Sequence, residues 1–293
     1  STNRVLAWTI TSVAVATIFF ACKKEVTTDT APNNEKDNNT LQVAQHEAAA
    51  SAMYSDLFET VAVVAISQGL DNARQASPGN NEWADVPAPS CPVAELLDAT
   101  GDVWPKRVDI DFGESCLDRF GTYRSGILHV TFSGPLFNPA STVVVEPENY
   151  KLNGHPVEGH FKISGVSYDT TTGIQYTTEL TGGKITLSDS VIITYSSKKT
   201  IKQIEGVDKI QVLKNPSDDV FSLEGTASLA YEKGAITGIT ATFTTQEPLI
   251  RRWSCRNISQ GKLKVDFDEV TGVIDYGNGV CDDDATITVG DKA

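Results

Sequence analysis

Clustered positive charge is the first thing this chain lacks. Its 24 Lys and Arg stand against 38 Asp and Glu, giving a formal net charge of −14 and a pI near 4.7. The cations are scattered, adjacent only in pairs such as Lys198-Lys199 and Arg251-Arg252. Binding a phosphate backbone takes clustered cations, so nucleic acid is excluded as a partner. Histidine is sparse as well: of the 4 present, His155 and His160 flank Pro-Val-Glu-Gly with nothing nearby to complete a metal site. The Gly-x-Ser-x-Gly nucleophile turn, the phosphate loop, the dinucleotide fingerprint and the His-Glu-x-x-His helix are all missing. Carboxylates abound, but no spacing singles out a glycosidase pair. We therefore expect no enzyme. Helix-period segments long enough for a βαβ crossover are absent beyond Cys91, which excludes an α/β domain.

What is present begins with an apolar run, Val5 to Ala21, behind a single basic residue, Arg4, and ending at Cys22. It sits at the lower limit of about 17 residues for a membrane span, and Thr9, Thr11, Ser12 and Thr17 dilute it. Ile18-Phe19-Phe20-Ala21-Cys22 resembles the lipobox of bacterial lipoproteins, with Phe19 standing where that box usually has Leu. The resemblance implies that residues 1–21 are a signal peptide and that Cys22 is acylated, palmitate included, and holds the protein on a membrane. Assigning Cys22 to acylation leaves four of the 5 cysteines, an even set of Cys91, Cys116, Cys255 and Cys281.

Residues 22–40 are almost devoid of hydrophobes and read as a flexible tether. In lipoproteins of this kind, charges after the cysteine bear on export to the cell surface. Lys23-Lys24-Glu25 resembles such a signal loosely, so the expected location is the outer membrane, with display at the cell surface. Over 41–70 the pattern turns helical. Ala50, Met53, Leu57, Val61, Val64 and Ala65 recur at three- and four-residue steps, with Asn39-Thr40 as caps and Gly69 as a stop. That spacing predicts a helix over 42–68 packed on the domain behind it, with His46, Glu47, Asp56 and Glu59 on its solvated face. Residues 71–90, rich in Pro and Gly, read as a linker.

From 91 to 293, apolar residues take every second position, as in Leu128, Val130, Phe132 and again in Ile239, Ala241, Phe243. This is the signature of an antiparallel sheet with one face on a core, so the fold class is all-β, a meander or sandwich of ten or so strands. Thr240, Thr242 and Thr244 fit the outer face through β propensity alone.

Two stretches repeat each other. Val108-Asp109-Ile110-Asp111-Phe112-Gly113-Glu114-Ser115-Cys116 matches Val273-Ile274-Asp275-Tyr276-Gly277-Asn278-Gly279-Val280-Cys281, each reading as strand, tight turn, cysteine. An upstream cysteine stands 25 residues before Cys116 and 26 before Cys281. The expected bridges are therefore Cys91 to Cys116 and Cys255 to Cys281, of the three connectivities that four cysteines allow. These motifs, with Gly182-Gly183-Lys184-Ile185-Thr186-Leu187 and Ile193-Thr194-Tyr195-Ser196-Ser197, resemble a set of Bacteroidota lipoproteins without an assigned function, over residues 85–293. The resemblance implies an envelope location and a fold, not an activity.

One acidic cluster, Asp282, Asp283 and Asp284 beside Asp275 and Asn278, offers hard oxygen ligands on a turn and is a calcium candidate without an EF-hand loop. Trp83, Trp104, Trp253, Phe120 and Tyr123 are the aromatics able to stack sugars or close a core. The expectation is a noncatalytic envelope lipoprotein that binds an envelope protein or serves in an outer-membrane assembly. Its rivals are a surface protein that binds or degrades glycans and a lipid carrier with an apolar cavity.

Overall fold

The structure, a computed structural model, describes residues 26–28, 34–71, 91–98, 103–117, 121–188, 190–207, 218–255, 257–282 and 284–291. Residues 1–21, read as a signal peptide, Cys22 and nearly all of 71–90, read as a linker, lie outside the described residues. Along the chain come β1 (Val26–Thr28), α1 (Asn34–Gln68), β2 (Val93–Leu96), β3 (Lys106–Asp111), β4 (Cys116–Leu117), β5 (Tyr123–Phe132), β6 (Thr142–Leu152) and β7 (His155–Asp169). They are followed by β8 (Gly173–Ser188), β9 (Val191–Glu205), β10 (Val220–Lys233), β11 (Thr240–Arg252), β12 (Ile258–Phe267), β13 (Val270–Asn278) and β14 (Thr286–Asp291).

The strands form one 14-stranded sheet in which β5 to β14 each pair with the next in the chain, an antiparallel meander. The all-β expectation holds in its meander form. β1 adds in parallel to β14, with Val26 opposite Ile287 and Thr28 opposite Val289. Strands β7, β8 and β9 run 15, 16 and 15 residues, about 50 Å each. The 35-residue helix is about 52 Å long, so helix and strands match in length.

That match matters because the sheet curls around α1. Between Asn38 and Gln68, only Asn38, Val63 and Ser67 are exposed. Asp56 and Phe58, two residues apart, point about 200° apart around the helix axis. Asp56 meets Arg124 of β5, whereas the Phe58 ring stacks on Tyr176 of β8 at 3.6 Å between centroids. By length and composition, Asn38–Gln68 would also pass for a membrane span; here it is the core helix of the domain. Val43, Ala50, Leu57, Val61, Ala62 and Ala65 are wholly buried. A helix covered on nearly every side needs small residues where backbones approach, and the run of alanines supplies them.

Two readings of this segment are corrected. α1 starts at Asn34, so Asn39 and Thr40 are inside it rather than capping it, and β1 with the first turns of α1 takes up positions read as tether. A polar composition over 34–40 does not preclude a helix. The stop at Gly69 is as expected: with φ 70°, Gly69 donates to the Ile66 carbonyl and Leu70 to that of Ala65, a Schellman closure.

The up-and-down path gives the sheet two rims. At one rim β13 passes to β14 and the Cys255–Cys281 bridge sits; at the other β3 ends, β5 begins and the Cys91–Cys116 bridge sits. Both bridges are the expected ones, with Cα separations of 5.7 Å. The helix descends from the second rim to the first, where the Leu70 carbonyl accepts the Leu136 amide from the β5–β6 connection.

If α1 is core, Leu57→Ala will cost about 2 to 5 kcal/mol in denaturant unfolding, and a cost below about 1 kcal/mol would mean a helix resting on the surface. Removing the Cys255–Cys281 bridge by a double Cys→Ala change will cost roughly 3.5 kcal/mol by the loop-entropy relation, read as a lower unfolding midpoint.

Candidate functional site

Polar side chains at core positions mark where packing alone does not explain a sequence. β9 turns Ile193, Tyr195, Ser197, Lys199, Ile201 and Gln203 inward, so Ser197 and Lys199 interrupt an apolar row. Thr178 of β8 and Arg251 of β11 reach the same region. Facing them, α1 presents Glu47, Ser51, Ser55 and Glu59.

Lys199 Nζ donates to Ser51 Oγ at 2.6 Å and to Glu47 Oε1 at 3.4 Å, and the Tyr195 hydroxyl donates to the same Glu47 oxygen at 3.0 Å. Arg251 pairs with Glu59, Arg124 with Asp56, and His46 Nδ1 lies 2.7 Å from the Tyr231 hydroxyl. His46, Glu47, Asp56 and Glu59 are therefore not on a solvated face. They were misplaced because an apolar stripe implies one covered side, and the curled sheet covers the others too. The Tyr54 hydroxyl donates to the Glu158 carbonyl at 2.6 Å. Space for it comes from Gly183, where a Cβ would lie 2.8 Å from that hydroxyl and 2.4 Å from the Tyr195 carbonyl oxygen.

Burial sets the titration of this seam. Desolvation pushes Tyr54, Tyr176, Tyr231 and Tyr195 up, with Glu47 adding to it at Tyr195. His46 is pushed down by the same desolvation. Two cavities border Ser51 and Lys199, each about 20 Å³, room for about one water. Ser51 and Lys199 are a nucleophile and an amine within reach of each other. The pair joins helix to sheet, beside a space of about one water.

At the calcium candidate the carboxylates bond within their own turn. Asp275 Oδ1 accepts the Gly277 amide and Asp282 Oδ1 the Asp284 amide, both turn-closing bonds, and Lys262 stands 3.9 Å from Asp275. Asn278 and Asp284 are exposed, Asp283 lies outside the described residues, and among the described residues no three His, Cys, Asp or Glu gather as a metal site. His155 faces the Thr186 carbonyl at 3.3 Å and His160 faces Glu146 at 3.4 Å. Trp104 and Trp253 pack against the core, Tyr123 is exposed, and Trp83 and Phe120 lie outside the described residues.

One cluster on the outer face escaped sequence reading. His129 of β5 bridges Asp109 and Glu148 at 2.7 Å each. The bond to Glu148 first and that to Asp109 second hold its imidazole above the ordinary histidine range. Only the cross-strand register brings these groups together: Asp109 stands opposite His129, and Glu148, opposite Ile127, is its diagonal neighbour.

Tyr54, Tyr176, Tyr195 and Tyr231 are protonated in the fold well beyond the unfolded value. Their contribution is complete below about pH 10 and is lost as pH rises past it, because only the unfolded chain then ionises them. Absorbance titration at alkaline pH will show these phenols ionising together with unfolding; ionisation ahead of unfolding would contradict a closed seam. No family model, no curated protein and no solved structure matches this chain.

Proposed function

We propose that this protein is a noncatalytic envelope lipoprotein, held in the outer membrane through Cys22, whose β domain binds another envelope protein or serves as a structural part of an assembly at the cell surface. One observation carries the reading: the concave side of the sheet is filled by the protein's own helix, so the convex face and the rims are what a partner can reach. A lipid carrier needs an apolar cavity, and the two at the helix are about 20 Å³ each. Two bridged cysteine pairs favour an oxidising compartment.

The convex face is ordered for recognition. Lys162, Glu179, Lys198, Thr226, Thr244 and Lys264 stand in one cross-strand row over six strands. Alternating charge followed by hydroxyls on a stiff sheet fits a polar protein surface.

A photo-crosslinking residue placed at Lys198 or Thr244 in living cells will trap one reproducible neighbour, and silence at both positions would count against a partner on this face. Intact mass of the mature protein will show acyl chains on Cys22; an unmodified N-terminus at another residue would remove the anchor.

A further inference from the structure

We infer that the rim carrying the Cys255–Cys281 bridge is seated on the bilayer, with Val280 at the contact. This rests on the acylation of Cys22 proposed above and adds to it an orientation that acylation alone does not give.

The argument starts from chain length. Cys22 precedes Val26 by four residues, which span at most about 14 Å even when fully extended. Val26 is not on a free stalk: it is the first residue of β1, hydrogen-bonded into the sheet beside Ile287 near the start of β14. Acyl chains on Cys22 would therefore hold that end of β14 within about 14 Å of the lipid. A stalk over 22–40 would leave the domain free to tumble; β1 removes that freedom.

The rim so placed has a surface to match. The β13–β14 connection leads with Val280, which is 58% exposed and belongs to a turn braced by the disulfide at Cys281. Ile204, at the end of β9 on the same rim, is 48% exposed. The same rim also holds exposed Leu97 and Val103, at the far end of the sheet. A few exposed hydrophobes along one rim suit shallow contact with a bilayer interface. The charges around Val280 fix the lipid class. Asp282 and Asp284 are exposed beside it, so zwitterionic headgroups are favoured over anionic ones. The opposite rim, with exposed Tyr123 and Leu117, then points away from the membrane.

The test uses the full acylated protein in phosphatidylcholine vesicles whose acyl chains carry bromine. The same environment-sensitive fluorescent residue replaces Val280 in one variant and Tyr123 in another. We expect quenching of at least several-fold at 280 and none at 123, with quenching at 280 reduced when anionic lipid is added. A spacer of about ten Gly and Ser residues between Lys24 and Glu25, which abolishes the short leash, should weaken the quenching at 280, and Val280→Asp should weaken vesicle contact without changing the unfolding midpoint. Equal quenching at both rims, or none at 280 in protein whose mass shows acylated Cys22, overturns the orientation and leaves the anchor standing. A mass without acyl chains overturns both.

Discussion

Carboxylates on a buried helix need cations, and the inner face of the sheet supplies them from strands far apart in its order. Arg124 on β5 takes Asp56, Lys199 on β9 takes Glu47, and Arg251 on β11 takes Glu59. A flat sheet could not bring β5 and β11 to one helix, so these pairs and the curl require each other. Buried ion pairs add little net stability over apolar packing, yet breaking one leaves a charge stranded. Their effect here is to select one rotation and one depth of α1 among the many that an alanine-rich cylinder could adopt.

Much of this was legible in the residues. Period-two alternation gave the strands, Gly69 closed the helix where a positive φ was needed, and the repeated strand-turn-cysteine stretches gave the right bridges. The polar seam was not legible, although its signal was present: continuing the alternation of Ile193 and Tyr195 puts Lys199 on the inward face. A charge on an apolar row is ordinarily read as an irregular position, and only the facing Glu47 explains it. The acids of the β13–β14 turn show a further limit, because closeness in sequence does not by itself aim oxygens at a common point: Asp275 and Asp282 each accept an amide of their own turn. β1 could not be found at all, since three residues in a polar run carry no periodic signal.

The function proposed for this fold is one of presentation. A sheet whose concave side is occupied offers its convex face, where Lys, Glu and Thr stand in register across strands, and its two rims. With Cys22 acylated as proposed, the short path from Cys22 to β1 would give those rims different neighbours, lipid for one and the cell exterior or a partner for the other.

The claim on which all of this depends is that the helix is interior, and native-state hydrogen exchange tests it most directly. The amides of Val43 to Ala65 should exchange only through global unfolding, as slowly as those of the central strands β8 to β10. Exchange of the helix at a lower free energy than the strands, while the sheet stays protected, would make it a detachable lid and would contradict the account.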